Sequence, residues 1–312
     1  MTILVTGSAG HLGEALVRTF REAGRAVRGF DRLHSPFTDV VGSITDVPLV
    51  AEAMHGIEAV LHVATLHKPH VTTHSPQAFI DANVSGTQTL LEAARRVDVK
   101  AFVFTSTTSV FGDALVPAKG EPAAWVTEAT RPIPKNIYGV TKSAAEDLCA
   151  LAHRNFKLAC VVLRTSRFFP EEDDDPVARD AYADANLKVN ELLHRRVDIE
   201  DVVTAHERAL ERCAAIGFGK FIISATTPFE PADCEEIRRD LPAALDRRVP
   251  GWREPYERAG WKMAPYFDRI YDNTRARKVL GWEPKHDFRS VAASGEVLSP
   301  LARAVGRKGY HR

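Results

Sequence analysis

The chain opens on a short apolar run, ILVTG, that breaks into glycines and resumes as an amphipathic helical pattern; no other stretch limits the fold so strongly. In VTGSAGHLG, Gly7, Gly10 and Gly13 fall between a strand and a helix, where the backbone must turn tightly and can admit a pyrophosphate against helix N–H groups. A tight turn of purely structural purpose could carry the same glycines, so position gives the triplet its meaning. β-rich runs then recur at AVRGFD, AVLHVAT, KAFVFTS and LACVVLR, separated by amphipathic or alanine-rich segments. That alternation predicts βαβ units and a parallel sheet covered on both faces, an α/β doubly wound fold. Strands are expected near 2–6, 26–31, 58–64, 100–106 and 158–164, and helices near 11–24, 47–55, 76–97, 136–154 and 200–215.

Asp31 ends the second strand, 18 residues beyond Gly13, where a carboxylate can accept both ribose hydroxyls of an adenosine and repel a 2′-phosphate. This favours NAD over NADP, although Arg32 beside it offers a cation to that phosphate; a strand-end carboxylate facing water is the alternative. After Arg164 the texture changes. RFFPEEDDDPVARDAYADANLKVNELLHRRV carries an acidic run and no clear strand, which suggests a small second lobe. DIEDVVTAHERALERC then reads as an Asp-capped helix and KFIIS as a strand returning to the sheet. The expected division is a cofactor domain over 1–165 with 198–225 returning to it, and a substrate lobe from 166–197 and 226–312. The acidic run 171–175 reads as a solvated loop rather than a cation site.

Lysine plus arginine equals aspartate plus glutamate at 41 each, so no global field draws the chain to nucleic acid or an anionic membrane, and a small molecule is the expected partner. Cys149, Cys160, Cys213 and Cys234 stand far apart without a CxxC pair, which argues against a zinc ribbon, a redox dithiol or a secreted disulfide framework. The N-terminus runs straight into a strand, and no segment approaches the length a bilayer requires. A cytoplasmic protein is expected.

Several motifs, in order along nearly the whole chain, resemble those of the extended short-chain dehydrogenase/reductases, the NAD-dependent epimerase/dehydratases. They are the GxxGxxG turn GSAGHLG, then LHVAT, NVSGTQTLLEAAR, TSTTSVFG, TEATRPIPKNIYGVTKSAAE, VDIEDVVTAHERAL and ARKVLGWEPK. Among them YGVTK places Tyr138 and Lys142 four apart on one helical face, where an ammonium beside a phenol would lower its pKa toward the working range. Such a phenol can exchange the proton of a substrate alcohol while hydride moves between the same carbon and nicotinamide. The resemblance implies a Rossmann-type fold, NAD as cofactor, Tyr138 as acid/base, Lys142 also holding the nicotinamide ribose, and Thr107 orienting the substrate oxygen. It further implies cofactor contacts from Gly7, Gly10, His11, Leu12, Gly13, Asp31, Arg32, Ser43, Ile44, Val63, Ala64, Thr65, Asn83 and Thr105. Helices near 76–97 and 136–154 are those by which family members pair, so a homodimer is implied as well.

Departures from the family pattern narrow the reaction. Thr108 and Ser109 stand where dehydratases typically carry Asp-Glu, and neither can act as a carboxylate acid/base. Arg167 replaces the asparagine of nucleotide-sugar epimerases, and only about thirty residues precede Val197, little chain for a nucleotide clamp. The R-x-x-S…P-E stretch after the strand near 158–164 partly resembles uronate dehydrogenase. His67, Lys68 and His70 follow the strand near 58–64 at the ligand-bearing sheet edge, and with Thr108 and Arg167 they are candidate contacts for a carboxylate or polyol. No metal is expected: Pro69 breaks the spacing of His67, His70 and His74, and no acidic partner is adjacent. The expected activity is NAD-dependent oxidation or reduction of a free sugar, sugar acid or hydroxy acid. The alternatives are a nucleotide-sugar 4-epimerase that keeps its NAD, and a dinucleotide-sensing protein without chemistry.

Overall fold

The computed structural model describes residues 1–173 and 175–308. Among these, seven strands form one parallel sheet: β1 (Ile3–Thr6), β2 (Val27–Asp31), β3 (Val40–Val41), β4 (Ala59–His62), β5 (Ala101–Thr107), β7 (Cys160–Thr165) and β8 (Phe218–Ile223), in the order β3-β2-β1-β4-β5-β7-β8. β1, β4, β5 and β7 are buried along their whole length, which is why they read as continuous apolar runs. The order reverses between β1 and β4, and the crevice that ligands occupy in such folds opens at that reversal, beyond the carboxyl ends.

Two apolar layers cover the sheet. On one face Leu12, Leu16 and Phe20 of helix His11–Glu22 join Val202, Val203 and Leu210 of helix Ile199–Ile216. On the other, Val50, Leu90, Ala145 and Cys149 come from helices Val47–Ala53, Gly86–Arg96 and Ile137–Phe156. A third core, with Leu241, Trp252, Tyr256, Phe267 and Phe288, lies apart from these; beside it β6 (Ala124–Val126) pairs in parallel with β9 (Arg269–Tyr271).

The chain crosses between these cores more often than the sequence division implied. β6 leaves the first 165 residues for the small sheet, while Trp282, Ala302 and Val305 return to the core under helix His11–Glu22. The helix expected over 76–97 is broken in three, with a π-helical turn Ile80–Ser85 between Pro76–Phe79 and Gly86–Arg96. Such turns often mark functional positions, and this one holds the buried Asn83. No helix among the described residues is long and apolar enough to cross a membrane.

A buried polar pin fixes helix Ile137–Phe156 to the sheet. Glu146 takes Arg164 of β7 in a two-pronged contact (Nε to Oε1 2.9 Å, NH2 to Oε2 2.7 Å) and accepts from Ser106 Oγ of β5 at 2.7 Å. Lys220 of β8 adds a contact at 2.9 Å. Burial pushes the Glu146 carboxyl up, but Arg164 and Lys220 outweigh it and hold the carboxyl below its ordinary range. Removing it leaves the Arg164 guanidinium buried without its counter-ion, so Glu146→Ala is expected to lose about 3–5 kcal/mol in urea denaturation. Loss of the exposed cap that Asp46 gives Leu49 N–H should cost Asp46→Ala only about 0.5–2 kcal/mol. Equal losses would contradict the ranking.

Candidate active site

A cleft of about 1060 Å³ runs along the carboxyl edge, from Asp31 and Ser43 past the glycine turn to Arg269 and Tyr271 of the second lobe. At one end the glycine turn is packed so closely that side chains are excluded. Gly7 has φ +76°, and a Cβ there would stand 2.7 Å from Ala64 N; a Cβ on Gly13 would stand 1.9 Å from Gly7 O. Asp31 is braced over this turn, accepting from Ala9 N–H at 3.0 Å and Leu33 N–H at 2.9 Å. A bare backbone at a helix N-terminus with a carboxylate at the next strand end is the cradle a dinucleotide needs, so these residues fit one.

Gly7, Gly10, His11, Leu12, Asp31, Arg32, Ser43, Ile44, Val63, Ala64, Thr65 and Thr105 all line the cleft. Gly13 and Asn83 do not line it. Gly13 lies behind Gly7, and Asn83 is spent on tying neighbouring elements together. Its Oδ1 accepts from Thr65 Oγ1 and Leu66 N–H, both at 2.9 Å, and its Nδ2 donates to Leu66 O and Thr141 Oγ1. The loop after β4 is thereby bound to helix Ile137–Phe156.

Beneath it, Thr6 Oγ1 accepts from Val63 and Ala64 N–H and donates to His62 Nδ1 at 2.8 Å. Thr87 gives its own proton to Asn83 O, so His62 Nε2 must carry the hydrogen that Thr87 accepts at 2.9 Å. Burial, aided by Lys142, keeps that imidazole neutral.

Thr107 ends β5 with its hydroxyl accepting from Ser109 N–H at 3.1 Å and hydrogen-bonded to the Tyr138 phenol. Asn136 caps the helix that carries Tyr138, accepting from Gly139 N–H at 3.0 Å. Gly139 is needed for close approach, since a Cβ there would be 2.8 Å from Ser109 O. Lys142 is 1% exposed and does not line the cleft; its Nζ donates to Thr105 O at 2.6 Å and lies 4.0 Å from the Phe104 ring centre.

The expected pairing is corrected here. Burial pushes the Tyr138 phenol up to about 12, opposed by Thr107, and brings the Lys142 amine down to about 7 despite Glu146. Spacing puts the two groups on one face, but desolvation decides their ionisation.

At the far end His67, Lys68, His70, Thr108 and Arg167 line the cleft. His67 N–H donates to His70 Nδ1 at 3.1 Å, and the His67 ring stacks on Phe169 at 5.4 Å. Arg195, beside Arg167, and Arg269 and Tyr271 also line the cleft, and sequence reasoning missed all three. HRRV just before the Asp-capped helix was the available signal for Arg195; Arg269 and Tyr271 come from a strand too short to read.

The acidic run is solvated only in part: Glu172 and Asp175 are exposed, but Glu171 and Asp173 are held inside. Glu171 meets His11 Nε2 at 2.8 Å, and Asp173 meets Arg195 at 3.2 Å and Arg167 at 3.7 Å; Asp174 lies outside the described residues. Burial pushes the Glu171 carboxyl up, but His11 and the Lys308 N–H outweigh it and hold it at about 2.

The chain belongs to the NAD-dependent epimerase/dehydratase family, whose model matches residues 3–223, and it is an NAD-dependent enzyme of that class. It is similar to the UDP-glucose 4-epimerase of Lactobacillus helveticus, at 26% identity over 92% of this chain and 93% of that one. The 2-alkyl-3-oxoalkanoate reductase of Stenotrophomonas maltophilia is 31% identical over 78% of this chain and 76% of its own. A solved short-chain dehydrogenase/reductase superfamily protein from Agrobacterium tumefaciens, with bound NAD, shares the fold at a TM-score of 0.67 and 23% identity, covering 97% of both chains.

Gly7→Ala should weaken NAD binding by about tenfold or more, ~1.4 kcal/mol, in calorimetric titration; unchanged affinity would contradict the cradle. Lys142 offers a linkage test. The unfolded chain protonates this amine at its ordinary 10.5 and the folded chain only at about 7, so folding becomes less favourable as pH falls between those values. Lys142→Met should therefore exceed the wild type in melting temperature at pH 7, and the advantage should shrink as pH rises toward the ordinary lysine value. A variant less stable at pH 7 would contradict this burial.

Proposed function

We propose that the protein is an oxidoreductase for a small anionic polyhydroxy compound, a sugar acid or related hydroxy acid, with Tyr138 exchanging the proton of the reacting hydroxyl. The observation that carries this reading is the charge of the substrate end. Arg167, Arg195 and Arg269 line it, and among the described residues Asp173 meets Arg167 and Arg195, while Glu191 meets Arg195. The excess positive charge suits a carboxylate, which guanidinium groups hold in two-pronged fashion.

NAD, held by the glycine turn and Asp31, supplies the two-electron acceptor or donor. Thr107 orients the substrate oxygen, and Tyr138 Oη, joined to Thr107, takes up or returns its proton. Lys142, buried on the same helix face, donates to the Thr105 carbonyl and so holds the strand that presents Thr107. His67 and His70 face the polyol. The intact Tyr138 and Lys142 weigh against a sensing protein without chemistry.

Two lobes divide the work in this reading, the sheet holding cofactor and the β6–β9 lobe holding substrate. Exposed Ile80, Val140 and Leu151 on the helices flanking Asn83 and Tyr138 support a homodimer, to be read by sedimentation. The unpaired, buried cysteines suit a reducing compartment, and we place the protein in the cytosol.

A second reading, 4-epimerisation of a nucleotide-linked sugar, draws support from the UDP-glucose 4-epimerase similarity over 92% of the chain. An epimerase should carry NAD through purification, whereas a dehydrogenase must exchange it. On a panel of uronates, aldonates and neutral sugars, NAD reduction is expected with an acid. Arg269→Met should then raise KM for that acid about tenfold or more, ~1.4 kcal/mol, with kcat little changed. No reduction across the panel would contradict the proposal.

A further inference from the structure

The C-terminal segment does not stay with the second lobe. Helix Pro300–Val305 packs on helix His11–Glu22, and Ser299 anchors its start, Ser299 Oγ donating to Asp198 Oδ1 at 2.6 Å. Beyond it Val305, Arg307 and Lys308 line the same cleft as Gly7, Gly10 and His11. Lys308 N–H donates to Glu171 Oε1 at 3.0 Å, and its ammonium contacts Glu14 in the first turn of helix His11–Glu22. Arg307 reaches Asp184 at 3.3 Å and Glu172 at 4.0 Å, so this short stretch joins the glycine-turn helix to the second lobe.

Charge explains why the joint matters. Glu14 and Glu171 are 7% and 9% exposed just behind the cleft lining, Glu14 in the first turn of the glycine-turn helix and Glu171 against His11, which does line the cleft. Two buried carboxylates repel an anion unless offset: Lys308 and Arg18 pair with Glu14, and Glu171 is held by hydrogen bonds from His11 and the Lys308 N–H.

We propose that Val305–Lys308 is the gate of the dinucleotide cleft, latched by Lys308 across Glu14 and Glu171. Closed, it covers the pyrophosphate end, sets the Lys308 ammonium on Glu14 and gives the Lys308 N–H to Glu171. Opening it removes the cover, takes the Lys308 ammonium from Glu14 and one donor from Glu171, and so raises negative charge behind the pyrophosphate turn as the cofactor is freed. The inference rests on the cofactor reading but on no particular substrate.

Its test therefore omits substrate: stopped-flow release of NADH, followed by nicotinamide fluorescence. Lys308→Glu is expected to speed release about tenfold, ~1.4 kcal/mol, and the exchange Lys308→Glu with Glu14→Lys to restore most of the difference. Wild-type release rates in the single variant, or no restoration by the exchange, would overturn the latch. A second measurement needs no variant: saturating NADH should markedly slow tryptic cleavage after Arg307 and Lys308, and equal rates with and without NADH would overturn the gate.

Discussion

The candidate site depends on one buried contact, the clasp of Glu146 by Arg164 and Ser106. It sets the rotation and height of helix Ile137–Phe156 on β5 and β7, and Lys142 and Tyr138 lie about one and two turns before it on that helix. Apolar packing alone would hold the helix but would tolerate small slides. A two-pronged charged contact in the interior does not, because a displaced partner leaves an uncompensated charge. With the helix fixed, Lys142 meets the Thr105 carbonyl and Tyr138 meets Thr107, both on the strand that Ser106 pins.

The same logic of satisfied polar groups extends outward. Asn83 spends its whole amide on the loop after β4 and on Thr141, so the cofactor side of the cleft and the helix carrying Tyr138 move as one body. Thr105 donates to His206 Nε2 at 2.7 Å, and His206 Nδ1 donates to Val202 O, which ties β5 to the opposite layer. Burial holds that imidazole down at about 4, so it remains neutral and the tie persists across the physiological range. The site is thus built on rigid elements, while Arg269 and Tyr271 of the second lobe line its far end and the C-terminal segment lies by the glycine turn.

Much of this was legible in the chain. The glycine turn, the alternation of strand and helix, Asp31 at a strand end and the Tyr138–Lys142 spacing all depend on short-range pattern, and short-range pattern survives in sequence. What escaped is long-range or environmental. Lys308 meets Glu14 across 294 positions, and no local signal joins them. The acidic run looked solvated because its partners, His11, Arg167 and Arg195, arrive from elsewhere. Spacing placed Lys142 correctly on its helix face, but only the surrounding apolar layer reveals that desolvation, rather than the neighbouring phenol, rules its charge. Arg269 and Tyr271 sit on a three-residue strand whose pairing with β6 no periodicity announces.

The claim at the centre is that the Tyr138 hydroxyl moves the substrate proton. It is tested most directly by the pre-steady-state rate of NAD reduction in Tyr138→Phe, with cofactor binding measured on the same preparation. A fall of about 10²–10⁴-fold with unchanged NAD affinity is the expected result. A variant that reduces NAD at the wild-type rate would contradict it.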